Sequence, residues 1–240
     1  MLRIARLSDL QIYQIQSMAH LGISNSVKKL IRVDIVSDTV CPWCFVGKKN
    51  LEKAMNASKD LYAFEVQWHP YLLNPSAPKE GVTKIEYYKM KFGEEQSKQI
   101  LSRMTKVFQG LGFDYDTSGL TGSTLDSHRL IEFAGHQGLD KQNMLVETLF
   151  LSYFCEGKFI GDRQVLLEAA NKVGITGAEE LLNDPNKGLA EVEEEVRKNS
   201  TFVRGVPHFT INGKHKLSGA QPPEVFLNAF QAVANENSQS

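Results

Sequence analysis

The sequence predicts an α/β protein in which two short strand-containing halves flank a long helical segment. Two apolar runs of strand length, residues 30–36 and 62–69, enclose a helical pattern, which is the order of a βαβ unit. A second pair of strands and a last helix follow at residues 208–234, and no strand pattern is found between the halves. Because neither strand pair is stable alone, the two halves are expected to share one sheet.

The first half contains the βαβ unit. LIRVDIV, residues 30–36, is short, rich in β-branched residues and bounded by polar ones, as is typical of a buried strand. Apolar residues at helical spacing predict a helix over 42–58, and Pro42 suits its first turn, where the N–H has no helical partner. YAFEVQWH, residues 62–69, alternates between apolar and polar residues and predicts a strand parallel to the first, because a helix crosses between them.

The middle of the chain is predicted to be helical. A Pro-rich connection, HPYLLNPSAPKEG, leads into it, and glycines stand where several of the helices would end. The predicted helices cover residues 84–111, 124–138, 141–156, 163–173, 176–183 and 187–200.

The second half begins with HFTIN, residues 208–212, which has strand character. Asn212 and Gly213 form the strongest short hairpin signal, so a second strand is expected at 214–218. A last helix is predicted over 222–234. These elements give a split domain of residues 29–73 and 204–236 with an inserted α-helical domain at 74–203.

Residues 1–28 are expected to form a disordered leader. They carry Arg3 and Arg6 but one acid, Asp9, and they lack the uninterrupted apolar core of a secretory signal. We therefore expect a cytoplasmic protein, with plastid or mitochondrion as the alternative if residues 1–27 act as a transit peptide.

Composition excludes several classes of protein. The 27 basic and 28 acidic residues give a net charge of −1 without a long basic block, which argues against nucleic acid and membrane surfaces as partners. No apolar stretch reaches the ~20 residues that span a bilayer. Three cysteines are too few for a secreted disulfide scaffold, so we expect a reducing compartment, where a CxxC motif is metal-binding or catalytic.

The motif CPWC places Cys41 directly after the first strand and at the start of the helix. Unpaired N–H groups and the helix dipole at this position favour a thiolate, the nucleophile of thiol–disulfide exchange. Cys44 lies one turn further in and is expected to be more buried than an exposed Cys41, an asymmetry that such exchange requires. Pro42 stiffens the turn, and Trp43 is placed to shield the pair from water.

Other interpretations of the cysteines are weaker. A structural zinc site needs four ligands, but the sequence offers one further cysteine, Cys155, and six scattered histidines without a paired ligand spacing. We therefore expect no metal. Two buried, unreactive thiols are the other alternative for Cys41 and Cys44. Cys155 lies in an apolar helical stretch, and we expect it to be structural rather than redox-active.

Gly205-Val206-Pro207 precedes the strand HFTIN. A proline here removes a donor from the sheet ladder. A cis Val206–Pro207 bond packed against the cysteines would account for it and would leave the Val206 backbone free to hold an extended substrate. An ordinary trans turn proline is the alternative. His208 follows and is expected to point towards the active face or just beside it.

These stretches resemble the DsbA-like branch of the thioredoxin superfamily, and within it the FrnE-type proteins, which group with 2-hydroxychromene-2-carboxylate isomerases. The resemblance covers residues 31–233 and is carried by VSDTVCPWCFVGKKNLE, SHRLIEFAGHQG, LFLSYFCEGKFIGDRQVL and RGVPHFTINGKHKLSGAQPPEVF. It implies a thioredoxin-like fold with an α-helical insertion, in which Cys41 is the nucleophile, Cys44 the resolving thiol and Pro207 the cis-proline. The residues expected to contact substrate are Pro42, Trp43, Val206, Pro207 and His208.

The chain departs from its relatives inside the motif. Strongly oxidising relatives tend to carry His at the position of Trp43, so a more moderate redox potential is expected. The isomerases and kappa-type glutathione transferases tend to carry Ser at the position of Cys41, so the cysteine favours redox chemistry while leaving glutathione open as a substrate.

Four polar residues near the motifs are given structural roles. Asp38 and Thr39 either orient a proton near Cys44 or complete the strand, and we favour the second role. His128 and Arg129 either line a cleft between the domains or brace helix packing, and again we favour the second.

We therefore expect a thiol–disulfide oxidoreductase that acts on protein or small-molecule disulfides and thiols. It needs no tightly bound cofactor, although glutathione is open as a co-substrate. The alternatives are a kappa-type glutathione-dependent transferase or isomerase, and a non-catalytic binding protein or chaperone with this fold. The sequence sets neither the direction of electron flow nor the oligomeric state.

Overall fold

The computed structural model describes residues 28–236, so the expected leader, apart from Lys28, lies outside the described residues. The strands are β1 (Lys29–Ser37), β2 (Tyr62–Pro70), β3 (Val82–Thr83), β4 (Leu120–Thr121), β5 (His208–Ile211) and β6 (His215–Ser218). The helices are α1 (Pro42–Ala57), α2 (Lys84–Phe92), α3 (Glu94–Leu111), α4 (Leu125–Gly135), α5 (Leu139–Phe154), α6 (Arg163–Val173), α7 (Ala178–Asn183), α8 (Leu189–Phe202) and α9 (Pro223–Glu236). Within this part of the chain, no helix combines the length and apolar character needed to cross a bilayer.

One four-stranded sheet joins the two ends of the chain in the order β2-β1-β5-β6. β2 runs parallel to β1, whereas β5 is antiparallel to both β1 and β6. The parallel βαβ unit and the shared sheet are therefore confirmed. β1 lies between β2 and β5 in this sheet. Its apolar residues are buried, with Ile31, Val33 and Ile35 at most 1% exposed.

Helices cover this sheet from both parts of the chain. α9 packs against α1, β1 and β5, while α4, α5 and α8 of the helical insert pack against β2. On the α9 side, the rings of Phe209 and Phe226 meet edge to face with centroids 4.9 Å apart. The β5–β6 hairpin turns at Asn212 and Gly213, which adopt φ values of 47° and 70° as the hairpin prediction requires.

A cluster of aromatic rings joins α1 to the helical insert. Phe45 of α1 is fully buried and stacks on Phe108 of α3 at 5.0 Å. Its ring also contacts Phe113, Phe150 and Phe154 at 5.2, 5.8 and 6.0 Å. The helix that carries the cysteines is therefore packed into the same core as the insert.

Charged groups link the sheet to the insert as well. His69 of β2 lies 3.1 Å from Asp34 of β1 and 3.3 Å from Glu195 of α8. Burial alone would lower the pKa of His69, but the hydrogen bonds and charges of the two carboxylates outweigh it and raise the pKa to about 9. His69 is therefore protonated at neutral pH and bridges both carboxylates.

Two predictions for the insert are wrong. The helix expected over 84–111 is two helices, α2 and α3, which meet at Gly93 with a φ of 82° that a glycine adopts without strain. The insert was also expected to contain no strand, yet β3 and β4 pair, with Val82 opposite Thr121. Strands of two residues are too short to produce an alternating pattern.

Candidate active site

The CPWC motif forms the first turn of α1. Cys41 occupies the N-cap position, with its backbone N–H donating to the Asp38 carbonyl at 3.0 Å. The N–H of Cys44 donates to the Cys41 carbonyl, also at 3.0 Å. Pro42 takes the first helical position, where its missing N–H leaves no acceptor unpaired. The turn therefore places the Cys41 sulfur at the positive end of the helix, as the sequence predicts.

The two cysteines differ in their surroundings. Cys41 is 5% exposed and Cys44 is 1% exposed, so Cys41 is far more buried than the exposed nucleophile that the motif suggested. Burial raises the pKa of the Cys44 thiol well above its usual range, and the hydrogen bond and charge of Cys41 raise it further, while Ser37 and the Asp38 backbone lower it by less. Cys44 therefore stays a protonated thiol as long as Cys41 is not bound in a disulfide.

The Val206–Pro207 peptide bond is cis and lies beside Cys41. The Cys41 thiol donates to the Val206 carbonyl oxygen at a distance of 3.6 Å. Pro207 packs on α1 at Gly47, where a Cβ atom would approach Pro207 Cγ to 3.1 Å and Phe209 Cζ to 3.0 Å. The cis bond expected from the sequence is confirmed, and a glycine at position 47 lets the Pro207 segment approach the cysteine helix.

A cavity of about 360 Å³ opens beside Cys41, between the sheet half and the helical insert. One wall of the cavity comes from the cysteine turn and includes Val40 and Trp43. Val206 also lines the cavity. The facing wall comes from the insert and includes Tyr88 of α2. A ligand in this cavity reaches the Cys41 sulfur, because Cys41 itself is part of the lining.

Asp38 and Thr39 hold the turn before the cysteines. The Asp38 carboxylate accepts the Leu73 backbone N–H at 2.7 Å, and its other oxygen lies 3.5 Å from Nε2 of the buried His128. The Thr39 and Ser127 hydroxyls are hydrogen-bonded at 2.8 Å. These contacts dock the turn on α4. Asp38 and Thr39 were expected to complete the strand, but β1 ends at Ser37 and both residues belong to the turn that follows it.

Arg129, also on α4, braces the insert. Its guanidinium donates to the carbonyl oxygens of Leu181 and Lys187 and pairs with Asp126 at 2.7 Å. The arginine is 2% exposed and joins α4 to the segment around α7. This is the bracing role preferred from the sequence.

His208, which was expected to contact substrate, and Cys155, which was expected to be structural, both lie outside the described cavity lining. Nδ1 of His208 is 3.1 Å from the Ser218 hydroxyl on β6, and the described cavity lining does not include His208, so its contact with substrate stays a prediction. Cys155 ends α5, and burial followed by nearby acidic groups raises the pKa of its thiol to about 11. A thiol with such a pKa is mostly protonated at neutral pH and is a poor nucleophile.

Six residues on the insert side of the cavity were not predicted as site residues. The residues concerned are Tyr87, Tyr88, Lys91, Phe92, Arg103 and Tyr153. Tyr153 lies in a stretch that carries the family resemblance, but nothing there marks it as part of a site. The others follow no motif, and their helical spacing is that of any amphipathic helix. Tertiary packing alone brings them opposite Cys41.

Comparisons with known proteins agree with this architecture. A protein-family model of the DSBA-like thioredoxin domain matches residues 32–231. The Bacillus subtilis protein YwbO is 26% identical over 205 residues, which cover 83% of this chain and 96% of YwbO. A crystal structure of a probable DsbA oxidoreductase from Streptomyces coelicolor has 30% identity and a TM-score of 0.75, covering 86% of this chain and 91% of that one.

A 2-hydroxychromene-2-carboxylate isomerase shares the fold. Its structure superposes with a TM-score of 0.60 at 14% identity, covering 87% of this chain and 98% of the isomerase chain. The thioredoxin-like α/β fold and the resemblance to both groups of proteins are thereby confirmed.

Proposed function

The chain belongs to the DSBA-like thioredoxin domain family, and we propose that it is a thiol–disulfide oxidoreductase whose redox pair is Cys41 and Cys44. One observation carries the proposal. Cys41 occupies the N-cap position of α1 and lines the cavity, whereas Cys44 lies one turn deeper with a pKa raised by burial. A reactive outer thiol and a protonated inner one are what stepwise disulfide exchange requires.

In the reducing direction the Cys41 thiolate attacks one sulfur of a substrate disulfide. The substrate S–S bond breaks, the departing sulfur takes a proton from water, and a mixed disulfide links Cys41 to the other half of the substrate. Cys44 then loses its proton and attacks the Cys41 sulfur, which releases the second substrate thiol. The substrate gains two electrons and the protein is left with a Cys41–Cys44 disulfide. In the oxidising direction the same steps run in reverse.

The environment of Cys44 supports this order of events. The hydrogen bond and charge of Cys41 both raise the pKa of the Cys44 thiol. Once Cys41 is held in a mixed disulfide, it no longer raises the pKa of Cys44, and Cys44 loses its proton more readily. Cys44 thus stays protonated, and a poor nucleophile, until Cys41 has formed a mixed disulfide with a substrate.

The Val206 carbonyl is a further part of the site. It lies 3.6 Å from the Cys41 sulfur and borders the cavity. We propose that this backbone group holds the substrate beside the attacking sulfur. The Val206 carbonyl can bind protein and small-molecule disulfides alike, because this contact requires a hydrogen-bond donor on the substrate and no particular side chain.

Trapping of the mixed disulfide tests the proposal. We expect Cys44→Ser to accumulate a covalent adduct of Cys41 with one half of a disulfide substrate, because the resolving thiol is missing. Intact-protein and peptide mass spectrometry would locate the adduct. Cys155→Ser is the matched control and should give no more adduct than the unaltered protein. Absence of an adduct on Cys41 would contradict the proposed mechanism.

Cysteine variants also separate the two alternative functions. A kappa-type glutathione-dependent isomerase would keep full turnover without Cys44, because only one sulfur holds glutathione. A chaperone without turnover would suppress aggregation equally well with both Cys41 and Cys44 replaced by serine.

A further inference from the structure

Two cations face the cavity from the helical insert. Lys91 of α2 has its Nζ 3.2 Å from the Tyr87 hydroxyl and 5.4 Å from the centre of the Tyr87 ring. The Arg103 guanidinium of α3 lies 5.2 Å above the ring of Trp43, the tryptophan of the cysteine motif. Both side chains line the same cavity as Cys41.

Neither cation is neutralised by a carboxylate in residues 28–236. Other lysines of the same two helices do have such partners, since Lys89 and Lys98 lie 3.9 and 3.6 Å from Glu94. The single acidic side chain in the described cavity lining is Asp38, which is 1% exposed and bonded to a backbone N–H. The accessible charge at the cavity is therefore positive, and the same cavity reaches the sulfur that we propose reacts.

The remaining walls suit a flat apolar body. The aromatic side chains that line the cavity are Trp43, Tyr87, Tyr88, Phe92 and Tyr153. A volume of about 360 Å³ lies at the lower end of the range of ~300–1,000 Å³ that is usual for small-molecule pockets. An anionic group that reaches either cation would gain a charge-assisted contact while its body packs on these rings.

We propose that this cavity selects low-molecular-weight disulfides that carry an anionic group on a flat or aromatic body. This inference rests on the proposed function and narrows its substrate class. Lys91 and Arg103 are the specificity-determining residues, which bind the anion and hold the disulfide sulfur towards Cys41. The redox step is unchanged: the disulfide takes two electrons from the Cys41–Cys44 dithiol and leaves as two thiols.

A pair of disulfides that differ in charge tests the inference. Dithiobis(nitrobenzoate) carries two carboxylates, and its bis-carboxamide has nearly the same shape without the charges. We would measure the second-order rate constant of the reduced protein with each disulfide. Each value would be divided by the rate constant with which dithiothreitol reduces the same disulfide. This removes the difference in intrinsic reactivity between the two disulfides. The normalised preference for the carboxylate compound is expected to be about tenfold, the worth of one good ionic contact.

Variants then identify the groups that produce the preference. Lys91→Met and Arg103→Met keep a side chain of similar length at exposed positions and should each remove most of the preference. Lys106→Met, one turn along α3 from Arg103 and outside the described lining, is the matched control for net charge and should leave the preference intact. High ionic strength should also reduce the preference for the carboxylate compound, because salt screens the charges.

The outcomes separate the two proposals. Equal normalised rates for the two disulfides, or a preference that survives both Met variants, would overturn the anion selectivity and leave the oxidoreductase function standing. No Cys41-dependent reaction with either disulfide would instead overturn the oxidoreductase function itself.

Discussion

Cys41→Ser is expected to abolish disulfide exchange, with a loss on the order of a thousandfold or more, as is typical when a catalytic nucleophile is removed. The reason is chemical, because a serine hydroxyl at this position stays protonated at neutral pH and cannot form a disulfide. Stopped-flow measurement of thiol release from an aryl disulfide would give the rate. The change replaces one small buried side chain by another, so a denaturation curve should show that the fold is retained.

Two control variants make this loss specific. Cys155→Ser should react at the rate of the unaltered protein, because Cys155 is not part of the described cavity lining. Cys44→Ser should still release the first thiol at a rate close to that of the unaltered protein, since Cys41 performs this step. Retained exchange in Cys41→Ser would contradict the assignment of the nucleophile.

Phe45→Ala is expected to lower the free energy of unfolding by about 3–5 kcal/mol, the usual cost of truncating a fully buried phenylalanine. The Phe45 ring stacks on Phe108 and contacts three more rings, so its removal opens a cavity between α1 and the insert. Urea denaturation followed by circular dichroism would measure the loss. Phe45→Leu should cost less because it refills part of the space.

Phe202→Ala provides the matched control for this stability prediction. Phe202 is 47% exposed at the end of α8, and its truncation should cost no more than about 1 kcal/mol. A loss below about 1 kcal/mol for Phe45→Ala would mean that α1 and the insert do not share one core.

Local signals explain which parts of the fold could be predicted. The helix predicted over 163–173 has these bounds in the structure, because the Asp162 side chain caps its N-terminus and Gly174 ends it in the left-handed conformation. The break at Gly93 was missed, since a lone glycine inside a long helical pattern is compatible with one helix or with two.

The site also contains some features that local sequence predicts and others that only tertiary packing produces. The residues around Pro207 left cis and trans open, and the family resemblance favoured the cis bond that the structure contains. The cysteine turn was predictable because it depends on a few neighbouring residues. The burial of Cys41 and the cations opposite it were not, because both depend on how the insert packs on α1 through rings such as Phe45 and Phe108. Lys91 and Arg103 look like ordinary surface residues in the sequence, and only the folded protein brings them to the lining of the cavity.

The central claim is that Cys41 and Cys44 form a reversible redox couple. A titration of the purified protein across ratios of reduced to oxidised glutathione, with the disulfide located by mass spectrometry, tests it most directly. We predict an intramolecular Cys41–Cys44 disulfide with a single midpoint between about −120 and −270 mV, the span of known thioredoxin-fold oxidoreductases. A protein that forms no such disulfide at any ratio, and carries glutathione on Cys41 alone, would contradict it.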